Sequence, residues 1–262
     1  DNLDICFEDI TQGWLLNYES WLRAKGNKET TISIQFRTLR SVYNKAIKRK
    51  CVGKEYYPFE DFHINKFNVH TDKRAISKND VLKIISADLT GKSEYVKFSR
   101  DIFVFSYLCG GINFCDVASL TKENILNGRL FYVRQKTGKQ INLCLTKNAS
   151  AIIDKYYKGG KGFLFPILDV TRHITATQRE NRLHKVLGQV DKSLKIVAQI
   201  AKVDVNLTTY VARHSYATVL KRSGVPTSII CESLGHSSER VTQIYLDSFE
   251  NEQIDEAMKN LL

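Results

Sequence analysis

The stretch Leu207–Asp247, LTTYVARHSYATVLKRSGVPTSIICESLGHSSERVTQIYLD, decides how the rest of the chain is read. Ala212, Tyr216, Val219 and Leu220 recur at i, i+4, i+7 and i+8, which predicts an amphipathic helix with these residues inward. On a wheel of about 100° per residue, Tyr210, Arg213 and Ala217 fall beside that stripe and not opposite it. A guanidinium at the edge of a core is costly unless something anionic meets it. Ser223-Gly224-Val225-Pro226 reads as a turn, with Pro226 suited to the first turn of the next helix. That helix runs through Ile229, Ile230 and Leu234 to a stop at Gly235, and His236 follows directly. Ser237 or Ser238 can cap a third helix, on which Val241, Ile244 and Tyr245 share a face.

Taken singly, these residues are unremarkable types. Tyr245 could be a core tyrosine, Arg213 an ion-paired arginine, and SGVPTSIICESLGHSS a plain helix-turn-helix. Taken together, a Y-x-x-R helix, an L-G-H turn and a tyrosine nine residues after that histidine resemble the tyrosine recombinase (phage integrase) family. ARHSYAT, SGVP, LGHSS and IYL stand in the family's order and spacing, and the resemblance extends over essentially the whole chain. It implies a mobile-element integrase with a mainly α fold and a small antiparallel β-sheet (α+β). A helical core-binding domain would precede the catalytic domain.

Outward from the motif, the chain has the size for two domains: 262 residues. Its 39 basic against 28 acidic residues give a net charge of +11, which favours a polyanionic partner. Six cysteines (Cys6, Cys51, Cys109, Cys115, Cys144, Cys231) include no C-x-x-C pair. Several lie in apolar runs, so reduced, buried thiols are expected. No apolar run reaches the length of a membrane span. A cytoplasmic, nucleoid-associated bacterial protein with no membrane partner is expected. The chain opens on Asp and not Met, which reads as a piece of a longer protein whose helical domain is truncated at its N-terminal side.

Residues 7–24 carry a helical stripe (Phe7, Ile10, Trp14, Leu15, Tyr18, Leu22) closed by Gly26. Residues 30–50 carry a second (Ile32, Phe36, Leu39, Val42 or Tyr43, Ala46, Ile47). Around this second helix lie Arg37, Arg40, Lys45, Lys48 and Arg49, read as a DNA-backbone contact surface. Tyr57-Pro58-Phe59 is expected to end the helical unit. The expected division is a core-binding domain over 1–66, a linker over 67–76 and a catalytic domain over 77–262. Ser77 and Asp80 open a capped helix, and an apolar helix follows from Val96 to Cys109. Residues 129–135 and 141–145 alternate around Thr137-Gly138-Lys139, which predicts a hairpin. Ala149–Tyr157 is a further helix, Phe163–Pro166 a short buried strand or turn, and Arg179–Ala201 one or two helices. Residues 251–262 form a last amphipathic segment.

The family pattern assigns roles residue by residue. Tyr245 would be the nucleophile, Arg213 a phosphate clamp, His236 a hydrogen-bond donor to the same phosphate, and Lys136, on the hairpin, the acid for the leaving 5′ oxygen. Tyr210 stands where the family usually has His, so general-base help there is in doubt. The family's first arginine is replaced by Asn113, within Gly111-Ile112-Asn113-Phe114-Cys115-Asp116, whose Asp116 keeps the acidic position. An amide donates but carries no charge. Period two puts Arg134 and Lys136 on one face of the strand, so Arg134 is expected to supply the missing charge. No metal and no cofactor are expected. The partners implied are double-stranded DNA and a homotetramer assembled on it through residues 251–262. Two alternatives stay open: a non-catalytic DNA-binding protein of the same fold, and a type IB topoisomerase.

Overall fold

A computed structural model of the chain describes residues 4–67, 74–160, 162–243 and 246. Contacts divide the chain into two compact units, residues 1–72 and 73–262. Among the described residues no helix is long and apolar enough to cross a membrane.

In the first unit, α1 (Gln12–Ala24) is capped by Thr11, whose Oγ1 accepts from Trp14 N at 3.2 Å. Its apolar stripe meets that of α2 (Glu29–Lys48) around Leu15, Leu22, Ile32 and Phe36. Tyr43 rather than Val42 points inward. Its ring is fully buried, while Val42 is 46% exposed. The unit does not end at Phe59. The aperiodic residues beyond it keep returning aromatic rings to the core: Phe36 lies 4.7 Å from Phe62 and 5.4 Å from Phe67 between ring centroids. Irregular backbone gives no period to read, so this continuation was invisible to pattern analysis. Phe67 and Ile76, both inside the segment expected to be a linker, are each buried in the core of their own unit.

The second unit opens with α3 (Lys78–Ser86), where Ser77 Oγ accepts from Asp80 N at 3.0 Å. α4 (Glu94–Leu108) is apolar nearly all round and correspondingly buried, from Val96 through Phe105. Its buried Asp101 accepts from Arg100 Nε (2.6 Å), Lys155 Nζ (2.7 Å) and Tyr156 Oη (2.7 Å), which offsets the cost of burying a carboxylate. After α5 (Phe114–Ser119) come β1 (Ile125–Leu126), β2 (Arg129–Val133) and β3 (Gln140–Cys144). They form an antiparallel sheet in sequence order, and Val133 pairs with Gln140 at the end of the hairpin next to its turn. The remaining elements are α6 (Lys147–Tyr156), α7 (Ala176–Ile200), α8 (Thr209–Arg222), α9 (Thr227–Ser233) and α10 (Glu239–Gln243). α7 is a single helix.

Three expectations are corrected. α8 is not a surface helix with one inward stripe: Val211, Ala212, Arg213, His214, Ser215, Ala217 and Thr218 are all buried, whereas Tyr216, Val219 and Leu220 are only partly so. Polar residues inside that helix hid its central position from an apolar count. Pro226 is the residue that caps α9 rather than its first helical position. The cysteines are all free, yet Cys6, Cys51 and Cys144 are exposed.

Candidate active site

The site is built on the turn that follows α9. Gly235 adopts φ +61°, and a Cβ there would stand 2.9 Å from Ile141 Cδ1 and 3.3 Å from Arg134 Cδ. Only glycine allows this approach of the turn to the sheet. Three consecutive carbonyls then meet three cations. Arg213 Nη2 donates to Leu234 O (2.5 Å), Arg134 Nη1 donates to Gly235 O (2.8 Å), and Lys139 Nζ donates to His236 O. Thr137 Oγ1 also donates to Gly235 O at 3.1 Å. On its other side Arg213 Nη1 donates to Gly111 O at 2.8 Å. Gly111 has φ +64°, and a Cβ there would lie 2.8 Å from Arg213 Cα.

His236 completes the cluster. Its Nε2 lies 3.0 Å from Arg213 Nη2 and its Nδ1 2.9 Å from Thr242 Oγ1. Burial, then the charges of Arg213, Arg134, Lys136 and Lys139, push its pKa down to about 3, so the ring is neutral near pH 7. A guanidinium has no acceptor, so Nε2 must accept and the ring proton sits on Nδ1, facing Thr242.

Arg134 and Arg213 are only 3% and 1% exposed. Their hydrogen bonds named above are to neutral carbonyls and to a neutral ring, which bring no balancing charge. The nearby carboxylate, Asp116, is buried and its pKa is raised, chiefly by burial against the pull of Gln135 N, Arg134 and Arg213. Among the described residues, Arg134 Nε and Asp116 Oδ2 have no hydrogen-bond partner. An unpaired buried donor costs about 1–3 kcal/mol. Among the described residues the site therefore gathers two buried guanidiniums against one buried carboxyl and keeps a spare donor at Arg134 Nε, which suits an anion with several oxygens.

The structure brings Arg134, Arg213 and His236 together. It places Lys136 differently from expectation. β2 ends at Val133, so Arg134 and Lys136 do not share a strand face. Arg134 continues the inward alternation of Leu130 and Tyr132, while Lys136 is exposed in the turn beyond. The hairpin tightens into that turn, with Gly138 N and Thr137 N both bonded to Arg134 O, and the period-two rule lapses there. Asp116 Oδ1 accepts from Gln135 N at 3.0 Å and so moors the turn to α5. Asn113 precedes α5, is half-buried and makes no capping bond. It lines a cavity of about 420 Å³ with Phe114, Leu183, Leu187, Tyr210 and Arg213. Tyr210 is 41% exposed, with its ring edge-on to His214 at 4.9 Å. Tyr245 and residues 251–262 lie outside the described residues.

Sequence reading missed Thr137, Lys139 and Thr242. Thr137 and Lys139 were read only as turn residues, and Thr242, three residues before Tyr245, had no signal of its own. In the first unit, Arg37, Arg40, Lys45, Lys48 and Arg49 are all exposed. Ile34, Ser41 and Lys48, seven residues apart, run down the face of α2 opposite its core, with Arg37, Asn44 and Lys45 beside them. Glu29 is the sole acidic residue of that helix.

The model of the phage integrase family matches residues 74–252, and that of the phage integrase SAM-like domain matches residues 1–68. Tyrosine recombinase XerD of Halalkalibacterium halodurans is 24% identical over 239 residues, covering 90% of this chain and 77% of that protein. Tyrosine recombinase XerA of Pyrococcus horikoshii is 26% identical over 201 residues, covering 73% and 65%. Among solved structures, a lambda integrase(75-356) dimer bound to a COC' core site superposes with a TM-score of 0.68 at 16% identity, covering 95% of this chain and 86% of that one. The Tn1549 transposon integrase in complex with a circular intermediate DNA superposes with a TM-score of 0.65 at 16% identity, covering 97% and 86%.

Proposed function

This chain belongs to the phage integrase family, and from that membership we propose how its residues cut and rejoin DNA. It is a site-specific DNA recombinase of the tyrosine type. Its substrate is double-stranded DNA, and the scissile phosphodiester sits at the Leu234–His236 turn. The observation that carries this reading is the pair of buried guanidiniums, Arg213 and Arg134, held at adjacent carbonyls beside a neutral histidine.

In the proposed step, Tyr245 Oη attacks the phosphorus in line. A phosphorus–tyrosine oxygen bond forms and the bond to the 5′ oxygen breaks. Arg213 and Arg134 turn their forks from the carbonyls to the non-bridging oxygens, where charge gathers. The entering phosphate offsets the cations that hold His236 neutral, so Nε2 takes the phenol proton, and as imidazolium it donates to the phosphate. Lys136 gives a proton to the leaving 5′ oxygen; its place in an exposed turn leaves it free to swing. The reverse sequence, with another strand's 5′ hydroxyl, reseals the DNA. The bond energy is kept in the phosphotyrosine, so no ATP is required.

A nicked duplex from which the 5′ end is lost after cleavage should trap a covalent protein–DNA adduct. A protein that binds its site but yields no adduct would instead be a DNA-binding protein that kept the fold. The uncharged Asn113 is the feature that favours that second reading.

Residues 1–66 would form the other half of the clamp, with α2 laid along the duplex. Each phosphate neutralised contributes about −0.9 to the slope of log K against log salt. Replacing Arg37 and Lys45 together by Ala should therefore flatten the slope by roughly 2 and weaken all duplexes alike. An unchanged slope in fluorescence-anisotropy titrations would remove α2 from the interface.

Recombination by such chemistry requires several protomers on DNA. Residues 251–262, apolar at Ile254, Ala257, Met258 and Leu261, would dock on a neighbour and close a tetramer. Deleting them should reduce multimer assembly on DNA more than binding of one protomer. Synapsis that survives the deletion intact would place the segment on its own subunit.

A further inference from the structure

We propose that Thr242 is a positioning residue for strand cleavage: its hydroxyl sets the tautomer of His236 and moors α10 to the phosphate clamp. This rests on the recombinase reading above. Thr242 is fully buried on α10, and its Oγ1 lies 2.9 Å from His236 Nδ1. The other face of the imidazole is fixed by Arg213 at Nε2. The ring is thus held at both nitrogens, by a donor on one side and an acceptor on the other.

Each part of that arrangement has a consequence. A hydroxyl can accept from Nδ1–H whether the ring is neutral or an imidazolium. Nε2 is therefore left as the ring's working nitrogen, ready to take a proton at the clamp and to hold it there. Thr242 Oγ1 also lies 3.5 Å from Ser238 O, toward which its own proton can point. Thr242 is three residues before Tyr245 in the sequence. One contact, from α10 to the turn after α9, thereby fixes the chemical state of His236.

The charged and polar groups around the ring come from every neighbouring element. Among the described residues they include Arg213 on α8, Arg134 after β2, Lys136 and Lys139 in the hairpin turn, and the Cys231 thiol on α9, 3.8 Å from His236 O. The four charged groups among these are positive and offer Nδ1 no acceptor. Valine matches threonine in shape but offers no acceptor, so Thr242→Val isolates the hydroxyl. Serine keeps it.

The test has two arms on the full chain. In the first, ¹⁵N signals of the histidine rings are followed without DNA. The parent and Thr242→Ser should show His236 protonated at Nδ1, and Thr242→Val should show an Nε2-protonated or mixed ring. In the second, adduct formation on the nicked duplex is timed across pH. Thr242→Val should be slower by about 10- to 100-fold, the range typical for losing a partner that orients a working histidine. Its pH profile should shift, binding should be unchanged, and Thr242→Ser should recover most of the rate. Retention of the Nδ1–H signal in Thr242→Val overturns the proposal. So does parental cleavage by Thr242→Val, or a loss in Thr242→Ser as large as in the valine variant. A parent that forms no adduct overturns the recombinase reading itself, and the ring signals, read without DNA, tell that failure from the others.

Discussion

Tyr245→Phe should abolish the covalent adduct on the nicked duplex while DNA binding stays at the parental level. Tyr132, Tyr216 and Tyr210 also lie near Arg213. Tyr132 lies beneath the sheet at 8% exposure, and burial drives its pKa well above the usual phenol value. Tyr216 is shifted the same way for the same reason. A nucleophilic phenol must shed its proton, and an ordinary phenol already titrates near pH 10. Raising that value works against cleavage. Tyr210 is exposed and shares a cavity with Arg213, but its ring leans edge-on against His214. Tyr245 is left: it stands nine residues after His236, at the family's spacing. Removing its hydroxyl removes the attacking atom and nothing that the clamp needs for binding. Gel detection of the adduct decides the matter. An adduct of undiminished yield in Tyr245→Phe would move the assignment to Tyr210, which Tyr210→Phe would then test.

The legibility of this site in the sequence was uneven, for physical reasons. Helix periodicity and caps located α1, α2, α3 and α4, because apolar stripes and Ser or Thr caps are local features. The hairpin was legible from alternation and Thr137-Gly138-Lys139. The first unit's extent to about residue 66 was expected, but the return of Phe62 and Phe67 to its core was not legible, since those rings pack from irregular backbone. α8 was misjudged because it buries Arg213, His214, Ser215 and Thr218, polar residues that an apolar stripe leaves out. Among the described residues their partners include groups from distant segments: Gly111 O, Leu234 O and the His236 ring around Arg213, and Ile76 N at Ser215 Oγ. Such long-range satisfaction has no sequence period. Lys136 was placed on a strand face because the alternation was carried two residues too far. Gly235 was read as a helix stop; that its missing Cβ also admits Ile141 and Arg134 is a tertiary fact.

Arg134→Ala should slow cleavage by about 10² to 10³, the usual cost of losing one preorganised donor, with little loss of binding. The family holds the phosphate with two arginines, and here the first position is the uncharged Asn113. A second cation must come from elsewhere, and the fold offers Arg134. Its side chain is buried, its Nη1 sits on Gly235 O one residue from the carbonyl that holds Arg213, and its Nε is a spare donor among the described residues. The route differs from the one first expected: a shared strand face with Lys136 does not exist, yet the inward alternation through Leu130 and Tyr132 delivers Arg134 to the turn. Removing it should leave the turn folded, because Gly235 O retains the hydroxyl of Thr137 as a donor. The loss would then be one of chemistry and not of structure, which a thermal melt of the variant checks. Arg134→Lys separates charge from geometry. An ammonium restores the charge but cannot grip two oxygens as a fork, so it should recover only part of the rate. Arg129→Ala is the control, since Arg129 is half-buried and spends its Nε on Asn142 Oδ1 at 2.6 Å. Asn113→Arg in the Arg134→Ala background should regain part of the rate, because position 113 lines the cavity that Arg213 also borders. Parental cleavage by Arg134→Ala would show that one arginine suffices here. It would leave the second buried guanidinium at the turn without a catalytic purpose, and the non-catalytic reading of Asn113 would then gain.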